Sequence, residues 1–213
     1  MSKYIFLDFN GTVLDDIDLC LEILNELLAK QNKPFVNKER YFEIFGFPVI
    51  DYYVRAGLDI SNFEEQAKYF IEEYTRRNVL ECKIYDDFLE FVDIAKKAGY
   101  KIVLCSASKY DLLVDQLKHF KILDCFDDVI ALDNYHAKSK VDVAMNYIKQ
   151  NKIDNNQLYF IGDTDHDALV AKECGGHSYL VARGHQNKNI LAKTDSIICD
   201  TLLDALDKIE KEI

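Results

Sequence analysis

The sequence is short of basic residues and of long apolar runs, and each shortage excludes a class of protein. Its 26 lysines and arginines stand against 37 aspartates and glutamates, which leaves a formal net charge of −11. An extended nucleic-acid surface or an anionic membrane requires a net cationic face, so the charge balance argues against both partners. No apolar run approaches the roughly 18 residues of a membrane-spanning helix, and the run in MSKYIFLDF is too short for a signal peptide.

Paired cysteines are also missing. The six cysteines are scattered, with no CxxC pair and no histidine or second cysteine at the spacing of a zinc site. Cys105 and Cys199 lie in the apolar runs IVLCS and SIICD, where a reduced thiol packs as a small hydrophobic side chain. The sequence therefore predicts a cytoplasmic protein without disulfides or a zinc cluster, as a monomer or a weak homodimer. With 49% hydrophobic residues among 213, it is expected to build a large core.

Six short apolar runs predict the strands of a parallel sheet. They lack polar alternation and are rich in β-branched and aromatic residues, which is typical of strands covered on both faces. They span residues 4–9, 101–106, 128–133, 158–163, 178–182 and 196–200. Amphipathic segments separate them, and DDFLEFVDIAKKAG places Phe88, Phe91, Val92 and Ala95 on one helical face before Gly99. This alternation predicts an α/β fold with a doubly wound parallel sheet, Rossmann-like in kind.

Residues 16–83 interrupt the alternation, because they carry apolar residues at helical spacing and no convincing strand. Ile17, Leu21, Leu24 and Leu28 begin the pattern, and both prolines of the chain fall in loops of this segment. The segment predicts an all-helical cap domain inserted after the first strand. The core domain is then made of residues 1–15 and 84–213.

Polar residues follow the predicted strands at their carboxyl ends, where ligands bind in open α/β sheets. Asp8 ends the first strand and Ser106 the second, while Asp163 and Asp167 follow the fourth. Two lysines precede the helix between the third and fourth strands, Lys138 and Lys140. Carboxylates, a hydroxyl and a lysine that converge on one pocket are suited to a divalent cation and a phosphoryl group.

The segments DFNGTVLD, CSAS, SK and GDTDHD, in this order, resemble the four motifs of the haloacid dehalogenase-like superfamily of phosphatases and phosphotransferases. The helical insertion after the first motif resembles that superfamily's helical cap, and the likeness extends over essentially the whole chain. The resemblance implies an Mg²⁺-dependent phosphatase in which Asp8 is the nucleophile and forms an aspartyl-phosphate. It implies a small phosphorylated metabolite as substrate, such as phosphoglycolate, a sugar phosphate or a nucleoside monophosphate.

The resemblance also implies a role for each motif residue. Mg²⁺ would bind the carboxylates of Asp8 and Asp163 and the main-chain carbonyl of Asn10. Asp167 would reach the metal through water or orient Lys140. The backbone N–H groups of Gly11 and Thr12 would bind the phosphate. The side chains of Ser106 and Lys140 would bind its remaining oxygens. Lys140 is favoured over Lys138 because SK stands directly before the helix.

The same residues have structural interpretations. An acid after a strand often caps the following helix, as Asp8, Asp163 and Asp167 would, and Ser106 lies near the start of a helix too. Asp15 and Asp16 are predicted to cap the first helix of the inserted segment. His166 is predicted to face solvent, and the other histidines carry no spacing signal: His119, His136, His177 and His185.

Residues of the inserted segment would recognise the leaving group. The aromatic groups FGF and DYYVRAG are predicted to lie mainly in the core of this segment, although the same loops could contact the leaving group. Four cations are available to contact the leaving group, and no rule chooses among them: Arg55, Lys68, Arg76 and Arg77.

Asn10 departs from the superfamily pattern, which usually has aspartate two residues after the nucleophile. That aspartate protonates the leaving oxygen and then deprotonates the attacking water, and an amide does neither, so a proton transfer worth roughly 10²–10⁴ in rate is lost. Three functions stay open. The first is a phosphatase with weakened general acid/base catalysis that favours substrates with good leaving groups, such as acyl or aryl phosphates. The second is a catalytically impaired phosphate-binding or regulatory protein. The third is a phosphonatase-like C–P hydrolase that uses Lys33 or Lys38.

Overall fold

The computed structural model describes residues 3–132 and 139–212, and a six-stranded parallel sheet is its centre. The strands of this sheet are β1 (Lys3–Leu7), β4 (Tyr100–Lys109), β5 (Asp128–Leu132), β6 (Leu158–Gly162), β7 (His177–Val181) and β8 (Ile197–Cys199). Their order is β5-β4-β1-β6-β7-β8. A separate antiparallel pair is formed by β2 (Leu14–Asp15) and β3 (Lys83–Ile84). The predicted doubly wound parallel sheet is confirmed.

The helices connect these strands. They are α1 (Ile17–Lys30), α2 (Lys38–Ile44), α3 (Val49–Ala56), α4 (Phe63–Glu81), α5 (Phe88–Lys97), α6 (Tyr110–His119), α7 (Lys140–Asn151), α8 (Asp165–Cys174), α9 (Lys188–Leu191) and α10 (Leu202–Glu212). Short 3₁₀ turns lie at Leu123–Cys125 and Asn155–Gln157. In the described part of the chain, no helix is both long and apolar enough to cross a membrane.

Helices cover both faces of the sheet, which explains the unbroken apolar runs. Ile5 and Leu7 of β1 pack in one hydrophobic cluster with Phe88 of α5, whereas Phe6 packs in another with Val170 of α8. Neighbouring side chains of a strand point to opposite faces, so β1 must be apolar at every position to satisfy both clusters.

The predicted strands and helices agree with the structure except at some ends. Helix α5 buries all four residues of its predicted apolar face, and Gly99 follows it with a φ of +86°. Strand β4 runs three residues beyond Ser106, and its pairing with β5 changes register between Cys105 and Lys109. The extension has the sequence ASK, so hydrophobicity could not reveal it. Residue 133, the predicted end of the third strand, lies outside the described residues.

Helices α1–α4 follow one another without a strand of the main sheet and share a hydrophobic cluster of their own. Leu24 of α1, Tyr41 of α2 and Tyr53 of α3 are buried in it. The chain enters this helical segment through β2 and returns through β3, which pair side by side. The division of the chain into a core domain and a cap domain stays a prediction.

Candidate active site

The loop after β1 brings Asp8 to the carboxyl edge of the sheet. The Asp8 backbone N–H donates to the carbonyl of Ile161 in β6 at 2.9 Å, which fixes the residue between the two central strands. The loop then turns at Gly11, whose φ is +72°. A Cβ atom at this position would lie 2.2 Å from Asp163 Oδ2, so the turn requires glycine for both its backbone angle and its close approach.

Lys140 is the cation of the site. It is the first residue of α7, its side chain is only 5% exposed, and its Nζ donates to Asp8 Oδ1 and, at 2.6 Å, to Asp167 Oδ1. Ser139 caps the helix by accepting from the backbone N–H of Asp142 at 3.2 Å, which fixes the start of α7 and thus the lysine. The structure therefore brings Lys140 to Asp8. Lys138, like His136, lies outside the described residues.

Asp163 and Asp167 converge on the same point from the loop after β6. Asp163 Oδ1 accepts from the Thr12 hydroxyl at 3.1 Å, which joins the loop after β6 to the loop after β1. Asp167 Oδ2 accepts from the backbone N–H and the hydroxyl of Thr164, at 3.1 and 2.7 Å. Asp167 thus caps α8 and binds Lys140 at once, so the structural interpretation and the functional one both apply to it.

Three carboxylates around a single ammonium leave excess negative charge at this point. Ligand oxygens of Asp8, Asp163 and Asp167 all lie within 4.8 Å of one another. Burial, opposed by Lys140, raises the pKa of Asp8 to about 8, and burial raises the pKa of Asp163 to about 6. Burial also disfavours ionised Asp167, but Lys140 outweighs it and lowers that pKa. A divalent cation would offset the remaining charge, and an all-oxygen donor set fits a hard cation.

Two of the predicted phosphate ligands have other partners. The backbone N–H of Gly11 donates to the carbonyl of Leu14 at 2.9 Å and to Asp16 Oδ1 at 3.0 Å, and that of Thr12 donates to the carbonyl of Phe9 at 3.3 Å. These N–H groups are thus bonded within the loop and to Asp16, and the phosphate-binding role that the resemblance implies for them stays a prediction.

Ser106, by contrast, is available to bind phosphate. Its side chain is buried at the edge of the cavity, and its Oγ accepts from the Ser108 backbone N–H at 3.1 Å. Because this bond uses the oxygen only as an acceptor, the hydroxyl proton remains for a phosphate oxygen.

The Asn10 side chain is bound to the start and the end of the helical segment. Its Nδ2 donates to Asp16 Oδ2 at 2.8 Å and to the Tyr74 hydroxyl, and its Oδ1 accepts from the Ser108 hydroxyl at 3.4 Å. Tyr74 itself donates to Asp16 Oδ2 at 2.7 Å. The Asp16 carboxylate accepts a hydrogen bond from an amide at position 10. It would repel an ionised aspartate at that position.

The prediction that Asp16 caps α1 is wrong for its side chain. Asp16 stands at the N-cap position of α1 but makes no side-chain cap bond there. Its Oδ1 instead accepts from Gly11 N and lies 3.1 Å from His185 Nε2. Asp16 is 1% exposed, and these buried donors would be left without an acceptor if its side chain turned back to the helix.

His185 is a site residue that sequence reasoning missed, as is Tyr74. His185 lies in the loop after β7, where its backbone N–H donates to Asp163 Oδ2 at 2.6 Å and its Nδ1 lies 2.8 Å from the Tyr41 hydroxyl. Burial disfavours the imidazolium, but Asp16 outweighs burial and raises the pKa of His185 to about 9. The strand-end rule that indicated Asp8 and Asp163 would also have indicated ARGHQ, since β7 neighbours β6.

His166 is half-buried rather than facing solvent, so the prediction for it is wrong. Its ring centroid lies 4.8 Å from that of Phe47, which the loop between α2 and α3 places over the start of α8. The aspartates of GDTDHD mark the site edge, but nothing in the sequence reveals that a loop of the inserted segment covers the histidine between them.

A cavity of about 530 Å³ opens above Asp8 between the sheet edge and the helical segment. Its floor holds the residues described above, among them Asp8, Asn10, Ser106 and Lys140. Its walls come from α3, α4 and the loop between α2 and α3 on one side, and from the end of β4 and from α6 on the other. A group attached to phosphorus near Asp8 would therefore extend into space bounded by the inserted segment.

The chain belongs to the haloacid dehalogenase-like hydrolase family, whose model matches residues 4–181. A phosphoglycolate phosphatase of Vibrio vulnificus (strain YJ016) is 25% identical over 59% of this chain, a match that spans only 56% of that relative. A phosphoglycolate phosphatase of Vibrio parahaemolyticus is 21% identical, over 97% of this chain and 96% of that protein. A haloacid dehalogenase-like family hydrolase of Streptococcus pneumoniae shares the fold, with a TM-score of 0.84 at 18% identity over 98% of both chains.

Proposed function

We propose that the chain is an Mg²⁺-dependent phosphatase that hydrolyses a small phosphate monoester through an aspartyl-phosphate on Asp8. The observation that carries the proposal is the position of the Asp8 carboxylate, which borders the cavity, contacts Lys140 and lies beside Asp163 and Asp167. The names of the relatives make phosphoglycolate the first metabolite to test.

Ionised Asp8 supplies the electron pair that attacks phosphorus, so that one difficult displacement becomes two easier ones. A bound divalent cation would favour this ionised form against the burial that raises the Asp8 pKa. Lys140 holds one Asp8 oxygen in place, and its ammonium offsets the negative charge of an incoming phosphate. The Ser106 hydroxyl would donate to a phosphate oxygen. Both oxygens of Asp167 are already bonded, which favours the interpretation that Asp167 orients Lys140.

The proposed metal site uses oxygen atoms from the loops after β1 and β6. Asp8, Asp163 and the main-chain carbonyl of Asn10 would hold Mg²⁺. The bound ion would offset the charge that otherwise keeps an anionic nucleophile and an anionic substrate apart.

The alternatives differ in how the structure bears on them. A phosphonatase-like reaction needs a lysine of the inserted segment near the substrate. Lys38 is bound to Asp18 on the surface, and Lys33 lines a different cleft. A catalytically impaired phosphate-binding protein is favoured by one observation, the amide of Asn10 where a titrating group would act. It is the second candidate.

Phosphate release tests the proposal. We expect the wild type to release phosphate from phenyl phosphate with Mg²⁺ and to lose this activity in EDTA, and Asp8→Asn to be inactive while retaining a native circular dichroism spectrum. Asp93→Asn is the control, because Asp93 is an exposed carboxylate paired with Lys97 on α5. Acid-quenched protein should carry labelled phosphate in the wild type and none in Asp8→Asn. Tight phosphate binding without turnover would support the second candidate instead.

A further inference from the structure

The part of the cavity wall that the inserted segment contributes is rich in aromatic residues, and among the described lining residues it contains no lysine or arginine that could bind a charged leaving group. Resting on the proposed phosphatase function, we propose that the leaving group is an uncharged aromatic ring and that the substrate class is an aryl phosphate monoester. Three observations carry the proposal: the wall residues, the partners of the nearby cations and the amide at position 10.

Aromatic rings surround the space that the leaving group would occupy. The lining includes Phe45, Phe47, Tyr53, Phe63, Phe70 and Tyr74. Phe70 and Tyr74 stand one turn apart on α4 and are stacked, with an interplanar angle of 8°. Apolar side chains beside them remain in contact with solvent, with Phe47 44% and Ile71 57% exposed. A flat apolar ring that entered the cavity would cover this surface and stack on its walls.

The cations of the inserted segment that sequence analysis offered for the leaving group have partners elsewhere, and none lines the cavity. Arg55 Nε donates to the Ile44 carbonyl at 2.8 Å, Lys68 pairs with Glu72, Arg76 with Glu73, and Arg77 with Glu22, Glu26 and Glu81. Among the described lining residues two lysines and His185 remain. Lys140 is bound to Asp8 and Asp167, His185 is paired with Asp16, and Lys109 is exposed at the end of β4.

A carboxylate on the leaving group would therefore be poorly matched to this cavity. It would face the aromatic wall on one side. On the other side the buried cations, Lys140 and His185, are already paired with carboxylates, and Lys109 is exposed to solvent, where an ion pair contributes little. Phosphoglycolate carries such a carboxylate. The aromatic wall thus favours a substrate other than phosphoglycolate, the compound in the names of the relatives.

The amide at position 10 supports the same class of substrate independently of the walls. Asn10 cannot protonate the oxygen that leaves phosphorus. A phenolate, whose conjugate acid has a pKa of about 10, leaves without a proton far more readily than an alkoxide. An aryl leaving group therefore fits the aromatic wall of the cavity and also needs no general acid at position 10.

Phosphonates separate binding from turnover, because their C–P bond does not release the ring. Titration calorimetry of the wild type with Mg²⁺ should compare three ligands: phenylphosphonate, methylphosphonate and phosphonoacetate. We expect phenylphosphonate to bind about tenfold more tightly than the other two, the ratio that one stacked ring contributes. Phe70→Ala and the more exposed Phe47→Ala should each reduce this ratio and leave methylphosphonate binding unchanged. Phe35→Ala is the control, because Phe35 is 71% exposed and lines a different cleft.

Kinetics complete the test. Phenyl and 1-naphthyl phosphate should have higher kcat/KM than ethyl phosphate and phosphoglycolate. Equal or tighter binding of phosphonoacetate, or an unchanged binding ratio in both Phe70→Ala and Phe47→Ala, would overturn the inference while leaving the phosphatase function intact. A wild type that hydrolyses none of the four esters would instead refute the proposed function, and the phosphonate titrations would then still decide whether the cavity prefers a ring.

Discussion

The replacement Asn10→Asp tests the electrostatics and the chemistry of the site together. In the wild type, Asn10 Nδ2 donates to Asp16 Oδ2 at 2.8 Å. In the variant two carboxylate oxygens would lie at about that distance, and two full charges there repel by about 6 kcal/mol at an effective dielectric constant of about 20. The protein avoids this cost if the pair keeps one proton. We therefore expect the new side chain to be a carboxylic acid at neutral pH.

The pH dependence of the free energy of unfolding reports whether the new carboxyl group is protonated. The pKa of the new carboxyl group is raised in the folded protein above its ordinary value of about 3.9, so its cost is absent below that pH and grows as the pH rises towards the folded pKa. The growth is about 1.4 kcal/mol per pH unit, or about 3 kcal/mol between pH 5 and pH 7. Urea unfolding at both pH values should show this loss relative to the wild type. Asn10→Ala is the control, because it removes the amide without adding a titrating group.

Activity measures the chemistry. An acid at position 10 can protonate a leaving alkoxide, so turnover of ethyl phosphate should rise by roughly 10²-fold, the lower end for general acid catalysis. Phenyl phosphate, whose phenolate leaves unaided, should change only a few-fold. An equal change on both esters, or a stability cost that is the same at pH 5 and pH 7, would refute this reasoning.

Three further predictions concern the groups around Asp8. Mg²⁺ at about 100 times its dissociation constant should stabilise the wild type by about 2.7 kcal/mol in thermal unfolding, and EDTA should abolish this gain. A melting temperature that changes with neither Mg²⁺ nor EDTA would contradict the metal site. Lys140→Met should destabilise the protein by about 3–5 kcal/mol, because it leaves Asp8 and Asp167 buried without their cation, whereas the exposed Lys149→Met should have no measurable effect. The His185–Asp16 pair should contribute its full stabilisation of the folded state below pH 6.5, and up to about 3 kcal/mol of the free energy of unfolding should be lost as the pH rises through the raised pKa of about 9. In urea unfolding, His185→Gln should lack this pH dependence.

The fold could be predicted from the sequence because each of its parts has a local signal. A strand covered on both faces must be apolar throughout, and an amphipathic helix such as α5 repeats its apolar face at a fixed spacing. The position of Asp8 follows from a rule about strand ends that needs no distances. Lys140 is identifiable in the same way, since a serine directly before it marks the start of a helix.

The contacts that Asn10 and Asp16 make could not be predicted, because most of their partners come from distant parts of the chain. His185 and Asp16 are 169 residues apart in sequence, and Tyr74 belongs to a helix whose only local signal is its amphipathic pattern. The cap position of Asp16 was a sound local interpretation. A buried histidine, a backbone N–H and an amide compete for the same carboxylate, and no sequence spacing records that competition.

The antiparallel pair β2–β3 brings the two ends of the helical segment together. Neighbouring strands lie about 4.8 Å apart, so the chain leaves and re-enters the sheet edge at nearly the same place. A two-residue hairpin turn could in principle join Asp15 to Lys83 directly. If the helical segment selects the leaving group as proposed, we expect a different segment grafted at this junction to alter that selection. Such a graft must still supply an acceptor for the Asn10 amide, because both Asp16 and Tyr74 would depart with the original segment.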